Sequence, residues 1–207
     1  VTATGYHWRC LDTVQRARAL LDGRPLGLLA ARWLDKVPPP AWWTTWAGSG
    51  GQVTEQVTHL VDLVRHLGGE VEWVAAHGAS MGHCGPGADI HEASVAVLRL
   101  AGGAVATITA SCLGPDKQAA GLDIVAAGLG LELSECELVV HVDGGVERVA
   151  ASVDPRLAVD AGFVSLVRGE PFPEAVGYGE ALCTHRVGCA LTTSAREGRE
   201  VRLGTGP

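Results

Sequence analysis

The sequence predicts an α+β fold: a large, open, mostly antiparallel or mixed β-sheet with its helices gathered on one face, built as a single domain over residues 1–207. Three observations lead there. Between Val71 and Ala150 the apolar residues alternate with period two in about seven short runs, from EVEWVAAH and ASVAVLRL to ELVVHV and ERVAA, separated by Gly, Asp or Ser turns. On both sides of this block the apolar spacing changes to three and four residues, the signature of helices with one buried stripe. The chain also holds 28 Gly in 207 residues, roughly twice the usual share of about 7%, with no collagen-like period; such glycines serve tight turns between short strands.

Taken in order, Ala3 to Trp8 reads as a strand entering a helix over Leu11 to Leu21, which the DGRP turn stops. LGLLAARWLD follows as a buried strand, and then an irregular connection, KVPPPAWWTTWAGSGG. Trp42, Trp43 and Trp46 in that connection either cap a core or present flat apolar faces to a ligand cleft. A helix is expected from Thr54 to Leu67 with Gly68 as its stop. After the strands, a helix begins at DPRL with Asp154 as N-cap and Pro155 in its first turn, ending at Gly169; the last helix covers Glu180 to Glu197 before Gly198. About six to eight strands leave too few helices to cover both faces. Since AVATITASC is apolar on both sides, a second copy of the chain is the expected cover, giving a homodimer or tetramer.

Composition narrows the function. A net charge of −7, with no basic run, argues against nucleic-acid binding. No apolar run reaches the ~18 residues of a membrane helix. Cys10, Cys84, Cys112, Cys136, Cys183 and Cys189 contain no C-x-x-C pair; in an apolar chain of this length they read as reduced thiols, which points to the cytoplasm. The chain opens VTATGYHWRC without an initiator methionine, so a processed or excised fragment is expected.

Several catalytic signatures are missing: H-E-x-x-H, G-x-S-x-G and the P-loop. The GLG at 128–130 lies between two strand-like runs with no helix after it, so no dinucleotide-binding fingerprint is present. The loop HGASMGHCGPGADIH holds His77, His83, Cys84 and His91 without zinc spacing and reads as a polar connection. More informative is SGGQVTEQVTHLVDLVRHLGGE. Opposite its apolar stripe, Glu55, His59, Asp62 and His66 share one helical face. That face admits three readings: a solvated surface, a metal site of the E-x3-H type, or an acid–base centre. In the last, Glu55 one turn before His59 would fix the ring tautomer and raise its basicity.

The same stretch closely resembles the helix that opens the substrate side of glucose–fructose oxidoreductase/inositol dehydrogenase-like (Gfo/Idh/MocA) enzymes, in which a Gly-Gly turn precedes an acidic residue, a His four later and an Asp three after that. GYHWRC resembles the segment leaving their Rossmann domain, PLGLLAARW the strand after the first helix, and GYGEALCTHRVGCALTTSAREGREVRL the last helix with its Ser-Ala-x-x-Gly-x-x-Val ending. The resemblance implies the C-terminal, substrate-binding and oligomerisation domain of an NAD- or NADP-dependent dehydrogenase of a sugar, polyol or related hydroxy compound. His59 would be the acid–base residue with Glu55 its partner, where the family more often has Asp. Asp62 and Arg9 would support the helix, while His7 and Trp8 fall where substrate is commonly contacted; Trp42 and Trp43 join them as substrate-side candidates only through the ligand-cleft reading of their own connection.

The family's Rossmann domain and its Glu-Lys-Pro segment are not in this chain, which is therefore expected to bind no cofactor and to be inactive by itself. Cys10 stands where an aromatic is usual. The alternative reading is a stand-alone, non-catalytic domain that binds a sugar-like ligand or a partner protein.

Overall fold

Alternation becomes pleat in the computed structural model, which describes residues 1–204. The helices are α1 (Asp12–Leu21), the single turns α2 (Trp46–Ser49) and α3 (Gln52–Glu55), α4 (Thr58–Gly68), α5 (Pro155–Val167) and α6 (Tyr178–Glu197). The strands are β1 (Leu26–Leu34), β2 (Val71–Ala79), β3 (Ala93–Leu100), β4 (Val105–Ser111), β5 (Ala119–Ala126), β6 (Leu129–Ser134), β7 (Glu137–Val142), β8 (Gly145–Ala150) and β9 (Val201–Arg202). They form one nine-stranded sheet in the order β8-β7-β6-β5-β1-β4-β3-β2-β9. Only β1 and β4 run parallel; every other pairing is antiparallel. The fold is the expected α+β, with one strand more than the upper expectation because the two-residue β9 adds to the edge at β2.

Register fixes which side chains meet the helices. Leu29, Ala31, Leu98, Ala106, Ile108, Leu122 and Ile124 point to one face and are at most 2% exposed, packed with Leu60, Val61, Leu63 and Val64 of α4 and Val187 and Leu191 of α6. Their alternating neighbours Leu28, Val95, Val97, Val105 and Val125 lie on the other face, 38 to 51% exposed. Helices thus cover one face only, and the bare face carries these aliphatic side chains beside Arg32, Asp123 and Glu132.

Two sequence expectations fail locally. Ala3 to Trp8 is not a strand: it makes a lone bridge between Thr4 and Val176 and then a 3₁₀ turn, His7–Cys10. No sheet edge is within reach there, and burying Trp8 and Tyr6 decides the conformation instead. The expected Thr54–Leu67 helix is broken in two. Gln56 N and Val57 N both bond Gln52 O, a wide turn that ends α3, and regular bonding resumes with Val61 N to Val57 O. Gly50 and Gly51, both at positive φ, make the sharp entry; a Cβ on Gly51 would meet the Trp46 ring. The two closing helices form as expected: the Asp154 side chain accepts from Arg156 N at 2.9 Å, and Gly198 takes the left-handed conformation after α6.

Candidate active site

Helix α4 is anchored from below. Asp62, 1% exposed, accepts two hydrogen bonds from Arg9, Nε and Nη2, each at 2.7 Å, and a third from the Thr184 hydroxyl of α6 at 3.1 Å. Arg65, one turn further, donates to Thr184 Oγ1 at 2.7 Å and to the Glu70 carboxylate. A forked guanidinium facing a buried carboxylate fixes orientation as well as distance. This network ties together the 3₁₀ turn, α4 and α6, and so sets where the start of α4 stands.

That start carries His59. Its ring stacks near Trp33 of β1 (centroids 6.4 Å, 24° between planes) and meets Tyr6 and His7 edge-on at 5.9 and 4.6 Å. His59 Nδ1 is buried with no hydrogen-bond partner. Burial, with His7 next, pushes the imidazole down to about 4, so it is neutral at pH 7. Around it stand Glu135 from the β6–β7 turn, Lys117 from the β4–β5 connection and Arg156 from α5. Glu135 takes Lys117 Nζ and Arg156 Nη2 at 3.0 Å each, and Lys117 also lies 4.9 Å over the Trp33 ring. His7 Nε2 approaches Glu135 Oε1 at 3.5 Å, too long for a made hydrogen bond, and stays unsatisfied. His7, then Lys117, then Arg156 hold the Glu135 carboxyl down at about 2. An open groove of about 420 Å³ runs past Lys117 and Glu135 along β5 and β6. A larger hollow, about 1000 Å³, lies at the opposite end of the sheet between α6 and β9, away from these groups.

The sequence-derived candidates divide. His59 meets His7, and Arg9 pairs with Asp62, on the same helix as His59. Glu55 does not join His59: the wide turn at Gln56 swings it away, and its Oε2 accepts from Trp43 Nε1 at 2.6 Å. Trp43, 1% exposed, closes a small second core with Ile90 and Cys112, and Trp8, also 1% exposed, packs beside Trp33; neither ring has a face free for a ligand. Trp42 remains open to solvent. His66 is half-buried, with Nε2 unpartnered and burial pushing it down to about 4. Among the described residues no group of three or more His, Cys, Asp or Glu is placed to hold a metal ion.

Sequence reasoning missed Glu135, Lys117, Arg156 and Trp33. The one available signal was rarity: Lys117 is one of two lysines in the chain. It also missed Glu92, 2% exposed, whose carboxylate takes the backbone N–H of Cys84 at 2.6 Å and that of Met81, and so pins the 80s loop.

The described residues thus form a half-covered, mixed sheet with a half-buried histidine at the head of an anchored helix. Residues 14–133 match the GFO/IDH/MocA C-terminal domain, more than half of the chain, and the protein belongs to that family. Its fold is also that of the WlbA dehydrogenase from Bordetella pertussis, solved with NADH and UDP-GlcNAcA (TM-score 0.73, 23% identity, covering 94% of this chain and 60% of that one). A levoglucosan dehydrogenase solved with NADH and levoglucosan superposes with a TM-score of 0.82 at 15% identity, over 98% of this chain and 66% of that one. A stretch of 77 residues is 36% identical to an uncharacterised protein of Schizosaccharomyces pombe, covering 35% of this chain and 19% of that protein. The chain thus spans less than two thirds of the length of these relatives.

Proposed function

We propose that this chain is the substrate-binding domain of a nicotinamide-dependent oxidoreductase that acts on a sugar, polyol or related hydroxy compound, with His59 as the acid–base residue. The observation that carries the reading is the neutral His59 imidazole, buried among Tyr6, His7 and Trp33 and set by the Arg9–Asp62 pair. A neutral imidazole with an unspent nitrogen is what the removal of a hydroxyl proton needs. The similar folds solved with NADH and a sugar or sugar nucleotide support the substrate class.

The described residues do not fit a dinucleotide. Gly128 turns the β5–β6 hairpin between antiparallel strands, with no helix N-terminus behind it to receive phosphates. NAD or NADP is therefore assigned to a Rossmann domain outside these residues, where the nucleotide would take the hydride. Leu157, Val164 and Val167, exposed on the helix that packs against the His7 turn, offer that domain an apolar seat. In this reading the chain's own residues bind and orient the hydroxy compound, shield it from water and move its proton, His7 and Trp42 being the remaining substrate-side candidates. The bare sheet face is assigned to a second copy of the chain, and the six unpaired thiols agree with a cytoplasmic setting.

The test is a turnover screen of the protein carrying this domain together with a Rossmann domain. Levoglucosan, myo-inositol, D-glucose and a UDP-sugar are offered with NAD and with NADP. Nicotinamide reduction with one of these or a related polyol is expected; reduction with none across a broad polyol panel would overturn the reading.

A further inference from the structure

Glu135 is held from two sides. Lys117 Nζ reaches its Oε2 and Arg156 Nη2 its Oε1, each at 3.0 Å, from segments distant in the chain. A carboxylate has about four lone-pair sites, and these two donors leave part of that capacity unused. His7 Nε2, 3.5 Å away, is too far to take it up. The side chain is 20% exposed and, with Lys117, lines the groove of about 420 Å³, so a ligand can reach the carboxylate. Lys117 and Arg156 are themselves open to water, and ion pairs so exposed add little to stability. What the triad does achieve is a fixed, ionised acceptor.

Its place beside the acid–base residue is the second observation. His7 touches both groups: its ring centroid lies 4.6 Å from that of His59, and its Nε2 lies 3.5 Å from Glu135. His59 and Glu135 are thus separated by the width of one imidazole, a gap that a single sugar ring spans between two of its hydroxyls. Lys117 stands at the same end of the sheet, 4.9 Å over the Trp33 ring that stacks near His59.

We infer that Glu135 is a specificity-determining residue: while the reacting hydroxyl faces His59, the Glu135 carboxylate accepts a hydrogen bond from a second hydroxyl of the same molecule, and Lys117 donates to an oxygen beside it. The inference rests on the oxidoreductase reading above and narrows its substrate class. A compound with a second hydroxyl within one ring of the reacting carbon is favoured. A monohydric alcohol is rejected, because it takes water from an ionised carboxylate and returns no donor. The contact is made before and during the reaction alike, so its loss belongs in KM rather than in kcat.

The test uses the enzyme that carries this domain with its Rossmann domain. The substrate is whichever of levoglucosan, myo-inositol, D-glucose or a UDP-sugar it oxidises, beside the monodeoxy analogues of that compound. Glu135→Gln keeps the shape and removes the charge. It should raise KM about 10- to 100-fold, the worth of a hydrogen bond to a charged group, and leave kcat within about threefold. One monodeoxy analogue should cost the wild type the same factor in KM and cost Glu135→Gln nothing further. A triad that only braces its connections does not produce that coupling. Lys117→Met, at a more exposed position, is the second variant; it too should raise KM and couple to the analogue that lacks the oxygen it serves. Unchanged KM in both variants, with His59→Ala inactive, overturns the assignment and leaves the oxidoreductase reading standing. So does a KM increase that is the same for every analogue, or a fall in kcat that tracks the melting temperature. Oxidation of 1-propanol as efficiently as the polyol overturns it as well. Turnover of none of a broad polyol panel removes the oxidoreductase reading and this inference with it.

Discussion

At His59 the geometry replaces one partner with another. The expected hydrogen bond from the His59 ring to Glu55 is missing, since that carboxylate accepts from Trp43, while His7 and Glu135 occupy the space around the ring. His59→Ala should therefore lower kcat about 10²–10⁴-fold, the usual worth of a positioned general acid–base. Glu55→Gln should leave kcat near the wild-type value and instead lower the melting temperature, through the bond to buried Trp43. Steady-state kinetics beside a thermal melt separates the two; equal kcat losses would restore Glu55 to the catalytic pair. His66 tests a different property. With both His59 and His66 held at about 4 in the fold, against 6.5 when free, the unfolded chain binds more protons between those values. Stability should then be fully present above pH 6.5 and fall progressively as pH drops toward 4. His66→Leu should flatten that slope without changing kcat, and an unchanged slope in melts across the range would show that His66 titrates normally in the fold.

Among the elements, α4 was legible in the sequence and its break was not. Val57, Leu60, Val61, Val64 and Leu67 repeat at helical spacing from end to end, and no Pro or Gly interrupts them. The wide turn at Gln56 follows from tertiary contacts, namely buried Gln52 and the Glu55–Trp43 bond, which periodicity cannot register. The His7 turn escaped for a similar reason: Tyr6 and Trp8 have strand-like propensity, but what they bury against is the core below α4. The strands and the capped helices were readable because alternation, Asp154 with Pro155, and Gly198 each act locally. The charged ring of Lys117, Glu135 and Arg156 joins two strand connections and the start of α5, segments that only the tertiary fold brings together. What holds α4 in place is also long-range. Arg9→Met should strand the Asp62 carboxylate in the interior and cost about 3–5 kcal/mol, as breaking a buried pair does. Urea unfolding measures it. A loss under 1 kcal/mol would mean that Thr184 and nearby water suffice for Asp62.

For the whole molecule, the distribution of work between domains yields one expectation and the bare sheet face yields another. A chain without a phosphate-cradling turn should show no NAD(H) binding by calorimetry when taken alone, and micromolar affinity would contradict the division of roles. The second expectation concerns assembly. Leu28, Val105 and Val125 stand side by side in one row across β1, β4 and β5, and Val95 and Val97 extend the patch on β3. Left in water, five aliphatic side chains on one sheet face favour association, and a stable pairing of copies needs about 1,600 Å² in all, an area that a nine-stranded face can supply. Arg32 with Asp123, 3.7 Å apart on the same face, gives that patch a polar border. The wild-type chain should sediment as a dimer or larger. Val97→Glu, within the patch, would set like charges against each other in the interface between copies and should yield monomers with unchanged circular dichroism. A monodisperse wild-type monomer in light scattering, with this face bare to solvent, would refute the assembly.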